Sequence, residues 1–236
     1  MSLYIYGKNP CISSIKEGNI KKVYLINGFQ DVKILNLLKH KKITPIYLKQ
    51  NEMDKLVGAK NNQGIIVELN EIKKYTLDDI IEASKIKNSF VIVLDGIEDP
   101  HNFGAILRVA DAFGALGVII KTRGQVPLNA TVAKVSTGAF QHVKLVEVSN
   151  LNNALEYLKK NGFWVVSTDG AAKTFYQELK YDFNVALVVG SEGFGISNLI
   201  LRNSDFVVKI DMKGHVNSLN ASNATAVVAS YIALKQ

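Results

Sequence analysis

The chain has one cysteine, three arginines, four histidines and no long apolar run among its 236 residues, and each scarcity excludes something. A single thiol, Cys11, rules out an internal disulfide and fits a reducing compartment. His40, His101, His142 and His215 are scattered without the spacing of a zinc site, and no metal is expected. No uninterrupted apolar stretch approaches the ~20 residues of a membrane helix, and "MSLYIYGKNPC" has no basic segment leading into an apolar run. The expected location is therefore the cytoplasm, without membrane attachment. No repeat or low-complexity tract interrupts the chain, and 47% hydrophobic residues supply an ample core.

Net charge is +7 and unevenly placed: residues 1–72 hold 11 Lys against 6 acidic residues, residues 73–236 hold 17 basic against 15 acidic. A basic front third fits a polyanionic partner, RNA first, because lysines near phosphates release counterions. A lysine-solvated surface explains the same surplus equally well.

The front third alternates short apolar runs, "KVYLI" (22–26), "ITPIYL" (43–48) and "GIIVEL" (64–69), with the helix-like "DVKILNLLKH" (31–40), as expected of a small α/β unit over 1–72. Residues 73–88 read as a charged linker with a helix near 77–86. A second α/β domain follows over 89–236, with strands at 90–95, 117–121, 142–148, 163–168, 185–190 and 206–210. Runs apolar on both faces and separated by helices specify a mainly parallel sheet covered on each side. Ligands of such sheets bind beyond the carboxyl ends of the strands, so the polar loops there carry the chemistry.

Three loops stand out. In "DGIEDPHNFGAILRVADAFGA" (95–115), Asp99-Pro100 makes a turn, Asn102 is expected to cap the helix that follows, and Arg108 interrupts its apolar stripe. In a chain biased to lysine, an arginine there indicates a planar, bidentate cation for phosphate or carboxylate. In "VVGSEGFGIS" (188–197) the glycines fall in the order G-x-x-G-x-G, not the dinucleotide G-x-G-x-x-G. The ATP-loop spacing from Gly190 to Gly195 lacks its lysine, replaced by Ile196, and Glu192 would repel a triphosphate. This glycine order and missing lysine disfavour a nucleotide-dependent oxidoreductase or NTPase. In "IDMKGHVNSLNASNA" (210–224), Ser218, Asn220, Ser222 and Asn223 crowd the entrance of an Ala-rich helix, more polar groups than one cap requires.

In this order and separation, "DPHNFGAILRVA" (99–110), "LVVGSEGFGIS" (187–197) and "IDMKGHVNSLNASNA" resemble the three motifs of the SpoU (TrmH-like) family of S-adenosylmethionine-dependent RNA ribose 2'-O-methyltransferases, within the SPOUT class. The front unit, with "YGKNP" (6–10) and "NNQGIIVEL" (61–69), resembles the small RNA-binding domain, similar to ribosomal protein L30e, that precedes the catalytic domain in the bacterial 23S rRNA guanosine branch. The resemblance implies an α/β fold whose C-terminal domain is a deep trefoil α/β knot, a homodimer meeting at the knot, S-adenosylmethionine as cofactor and no metal. It assigns catalysis to Asn102, Arg108, Glu192, Ser218 and Asn220, and the cofactor to Thr168, Gly190, Ile210 and Leu219. The implied substrate is a guanosine of 23S rRNA. The alternatives are a tRNA ribose, or a non-catalytic RNA-binding or ribosome-assembly protein of the same fold. A guanidinium with a pKa above about 12 is a poor base, so Arg108 is expected to orient phosphate and stabilise charge on oxygen. Asp211 stands where the family usually has proline and Ala221 where valine is common, and Asp211 bears on cofactor affinity.

Overall fold

The computed structural model describes residues 3–70 and 73–236; the expected boundary at residue 72 lies outside them. The chain forms two compact units, one from Met1–Lys73 with Leu128–Gln141, the other from Lys74–Pro127 with His142–Gln236.

In the first unit the chain runs β1 (Tyr4–Tyr6), α1 (Lys8–Glu17), β2 (Ile20–Ile26), α2 (Val32–His40), β3 (Ile46–Leu48), α3 (Gln50–Val57) and β4 (Ile65–Leu69). The sheet order is β1-β4-β2-β3, with β4 antiparallel to both neighbours and β2 parallel to β3. Gly18 ends α1 in the left-handed region, returning its N–H to Ser14, and the Asp31 carboxylate caps α2. Ile5, Ile15, Leu25, Ile34, Leu38 and Met53 form a dry interior with Cys11, whose thiol burial pushes strongly up. One charge is buried here. Glu68 accepts from Lys21 at 2.8 Å and from the Tyr24 hydroxyl at 3.0 Å, so the carboxylate is paired rather than orphaned. Burial, reinforced by Glu68, pushes the Tyr24 phenol up to about 12.

The second unit opens with α4 (Leu77–Ser84), started by a reciprocal Thr76–Asp79 capping box. It continues through β5 (Phe90–Asp95), α5 (Pro100–Ala112) and β6 (Val118–Lys121). The chain then supplies α6 (Ala130–Val135) to the first unit, where it packs on β1 with the Lys134 ammonium 4.7 Å from the Tyr6 ring centre. The second unit resumes with β7 (Leu145–Val148), α7 (Leu151–Lys160), β8 (Phe163–Thr168), β9 (Thr174–Phe175), β10 (Asn184–Gly190), α8 (Asn198–Asn203), β11 (Phe206–Lys209) and α9 (Ala221–Lys235).

These seven strands pair entirely in parallel, in the order β7-β6-β5-β10-β8-β11-β9. All six residues of β5 are buried, as its two-sided apolar pattern requires. Val91, Val93, Val165, Ala186 and Val188 pack with Ile80 of α4, Leu155 and Leu158 of α7 and Ile200 of α8. The alternate side chains face the other way, and there α5 and α9 pack together, α9 also touching β10. The strand expected at 142–148 begins only at Leu145, and the helix expected to reach 86 ends at Ser84. The three-residue β1 and two-residue β9 are too short to declare a period in sequence.

Gly117, just before β6, is held by packing: a Cβ there would stand 2.4 Å from the Lys144 carbonyl oxygen and 2.7 Å from Ile80 Cδ1. Gly117→Ala is expected to lower stability by about 1–3 kcal/mol, measured by urea denaturation. Gly170→Ala, where a Cβ meets nothing within 4 Å, should change it little.

Candidate active site

The three polar loops follow three strands of the run β5-β10-β8-β11. The Asn102 helix follows β5, the Glu192 loop follows β10, and the Ser218–Asn220 loop follows β11, two strands from β10 with β8 between. A single hydrogen-bonded chain joins them. Asn102, 5% exposed, donates its Nδ2 to Glu192 Oε1 at 2.7 Å. Its Oδ1 accepts from Asn220 Nδ2 at 2.7 Å. Asn220 Oδ1 in turn accepts from the Asn223 N–H and the Ser222 hydroxyl, both at 2.9 Å, capping α9. The order of donors is forced: an ionised carboxylate only accepts, so Asn102 turns its NH2 to Glu192 and its oxygen to Asn220. Residues 90 and 118 positions apart are thus locked in one orientation.

The Glu192 loop is itself fixed. Ser191 and Gly195 exchange backbone hydrogen bonds at 3.1 and 2.9 Å, and Gly195 is left-handed with φ +66. A Cβ on Gly190 would lie 2.1 Å from the Gly195 carbonyl carbon, so Gly190 is required by the loop folding back over it. Below this loop stands a group that the sequence reading missed. Asp95, 7% exposed at the end of β5, accepts from the Ser197 N–H at 2.9 Å and from the Lys121 ammonium at 2.9 Å. Burial pushes its carboxyl up, but Ser197 and the Lys121 charge outweigh this and hold it below the ordinary value. The available signal was an acid closing the otherwise apolar strand "FVIVLD".

Among the cofactor candidates, Thr168, Gly190 and Ile210 sit at or just beyond the carboxyl ends of the adjacent strands β8, β10 and β11. The Thr168 hydroxyl is tied to the Val188 carbonyl at 3.2 Å. Leu219, 37% exposed, precedes Asn220. From Asp211 to Leu219 no backbone group bonds another backbone group among the described residues. Beside the strand ends this leaves a run of free N–H and C=O groups, the donor and acceptor set that an adenine edge and an amino-acid tail require; the residues fit S-adenosylmethionine. Asp211, at the family's usual proline position, pairs with Lys213 on this loop.

Two predicted catalytic residues stand outside the hydrogen-bonded chain. Ser218 is exposed two positions before Asn220 without a hydrogen bond among the described residues. Arg108 is exposed, makes no polar contact among the described residues, and lies about 9 Å beyond Asn102 along α5. A cleft of about 240 Å³ opens at Asn102 and Glu192 and is lined also by Gly96, Asp99 and Phe194. A larger cavity of about 460 Å³ lies between α7 and α8, lined by Asn203 and Ser204 ahead of β11, the end opposite to where parallel sheets bind ligands. No three-residue metal-binding cluster occurs among the described residues, and none of their helices is long and apolar enough to cross a membrane.

Residues 89–230 match the sequence profile of the SpoU rRNA methylase family. The chain belongs to this family. Residues 4–75 match the substrate-binding domain of RNA 2'-O-ribose methyltransferases, so both units of this SpoU chain are accounted for, and enzymes of the family transfer a methyl group to RNA ribose. A Bacillus subtilis (strain 168) protein, YacO, carrying the name of a TrmH family tRNA/rRNA methyltransferase, is 38% identical over 231 residues, covering 95% of this chain and 92% of its own. A Staphylococcus aureus (strain MSSA476) protein of the same family name is 41% identical over 230 residues, covering 95% and 92%. Among solved structures, the SpoU methyltransferase AviRb of Streptomyces viridochromogenes in complex with AdoMet superposes with TM-score 0.83 at 20% identity, covering 99% of this chain and 90% of its own. An RNA 2'-O ribose methyltransferase superposes with TM-score 0.78 at 24% identity, covering 99% and 88%. These likenesses give the SpoU chain its fold, the SPOUT α/β knot.

The locked order of donors generates a prediction. Asn102→Asp would set a second carboxylate 2.7 Å from Glu192, and folding is expected to lose about 1–3 kcal/mol at neutral pH. Mutual repulsion raises the folded-state carboxyl pKa of the pair. The deficit should therefore grow as pH rises through that range and shrink below it, measured by denaturant titration at several pH values.

Proposed function

We propose that this enzyme, acting in the cytoplasm, transfers a methyl group from S-adenosylmethionine to the 2'-hydroxyl of a guanosine in 23S rRNA. The observation that carries the reading is the Glu192–Asn102–Asn220 chain, which ties one residue from each motif to the next by hydrogen bonds. The cofactor supplies a sulfonium-activated methyl. Thr168, Gly190, Ile210 and Leu219 hold it at the carboxyl ends of β10, β8 and β11. Bound there, it would offer its methyl carbon to the ribose 2'-oxygen, the carbon–sulfur bond breaking to leave S-adenosylhomocysteine and the hydroxyl proton passing to solvent water. Glu192 and Asn102 act by positioning: they fix the α9 entrance, where Asn220 and Ser218 face the ribose. Arg108, which has no polar contact among the described residues, orients a phosphate beside the reacting nucleotide and stabilises charge developing on oxygen. The basic first unit binds the RNA by phosphate contacts and shape.

The names of the relatives leave tRNA as the second substrate to test. Labelled methyl transfer to ribosomal RNA and to tRNA, each from cells lacking the gene, decides. Labelling of a 23S rRNA guanosine supports the proposal, labelling of tRNA moves the substrate, and no labelling of any RNA favours a non-catalytic RNA-binding protein.

The enzyme works as a homodimer in this reading. Helix α9 is apolar on more than one side: Ala221, Val228, Ala229 and Ile232 are buried, while Ala224, Val227 and Leu234 lie on a second stripe, Leu234 being 78% exposed; Tyr231 on that stripe is already packed on Tyr176 and Tyr181. An exposed apolar residue on a second side of a helix fits cover by another subunit. Light scattering should give a mass twice the 26.0 kDa of one chain; a single-chain mass would refute the dimer. Arg108→Lys keeps the charge and removes the planar fork, and is expected to abolish most turnover while calorimetric binding of S-adenosylhomocysteine persists. Near-normal turnover would refute a need for the guanidinium.

A further inference from the structure

Phe194 is 96% exposed, yet its position is fixed. It lies between Gly193 and Gly195 in the loop closed by the Ser191–Gly195 backbone pair, and its N–H donates to the Ser191 hydroxyl at 3.3 Å. Two residues earlier, Glu192 is hooked to Asn102. An aromatic ring is thus held out to solvent on an anchored loop at the rim of the cleft that Asn102 and Glu192 line. Exposing a whole Phe ring to water is unfavourable, and no aromatic ring packs against it among the described residues.

The same rim carries three carboxylates, those of Glu98, Asp99 and Glu192, and no lysine or arginine lines it. Such a rim repels phosphate and accepts hydrogen bonds from N–H groups. A planar, uncharged group with a π-face and N–H donors on its edge satisfies both the ring and the acids. An unpaired nucleobase has these properties; an apolar protein side chain would desolvate all three acids, of which Asp99 and Glu192 keep the His101 N–H and Asn102 as partners and Glu98 has no hydrogen bond among the described residues. We infer that Phe194 is the platform on which the enzyme stacks an unpaired base of its RNA substrate, next to the ribose being methylated. This inference rests on the methyl-transfer reading above. Stacking on an aromatic tolerates any base, so Phe194 supplies affinity and placement, while the acidic rim favours bases that offer donors.

The test compares wild type, Phe194→Ala and Phe194→Trp in labelled methyl transfer over a range of total RNA from cells lacking the gene, with calorimetric binding of S-adenosylhomocysteine alongside. Phe194→Ala should raise the half-saturating RNA concentration roughly 5- to 100-fold, with S-adenosylhomocysteine affinity and turnover at saturating RNA retained. Phe194→Trp should restore most of the loss, which a purely structural role for the phenyl ring would not allow. An active wild type beside an unimpaired Phe194→Ala, or a Trp variant as weak as the Ala variant, overturns the stacking and leaves the methyltransferase intact. A wild-type protein that methylates no RNA overturns the function itself and this inference with it.

Discussion

The carboxylate of Glu192 is an acceptor with no proton to give, and the orientation of the whole site follows from that fact. Because Glu192 takes the Asn102 NH2 group, the Asn102 oxygen must face Asn220, whose NH2 must then point away from α9 and whose oxygen must cap it. Every amide in the chain has its direction set by its neighbour. In a partly buried setting such a chain is stiff, since reversing one member would oppose donor to donor and acceptor to acceptor. Three loops that share no local sequence are thereby held to one geometry.

The sheet makes that chain possible. Seven parallel strands deliver all their carboxyl ends to one edge, and β10 sits between β5 and β8 although it follows both in sequence. The Asn102 helix leaves one side of β10, while the cofactor candidates occupy β10 itself, β8 and β11 on the other. Asp95 secures the joint: it holds Ser197, at the start of α8, and Lys121, at the end of β6, against the end of β5. The glycines serve the same end, since Gly190 lets the Glu192 loop fold over the last residue of its own strand.

Much of this was legible in residue order. The two-sided apolar strands specified a buried parallel sheet, and Glu192 and Asn220 stood out as polar groups beyond strand ends, whereas Asn102 read as the cap of a helix that Asp99 in fact caps. What escaped were devices with little period or with an ordinary explanation. Asp95 closes a strand and looks like a turn residue; β1 and β9 are too short to alternate; residues 128–141 read as part of the C-terminal domain but pack with the first unit. Phe194, one aromatic among glycines, gave no sign of whether it would be buried or presented.

The sequence by itself determined which polar groups stand beyond the strand ends and the class of the sheet, because periodicity and strand-end polarity are local properties carried by neighbouring residues. Tertiary structure alone decided which polar groups meet. A hydrogen bond between positions 102 and 220 depends on the order in which strands enter the sheet, and the spacing of residues along a chain holds no record of that order.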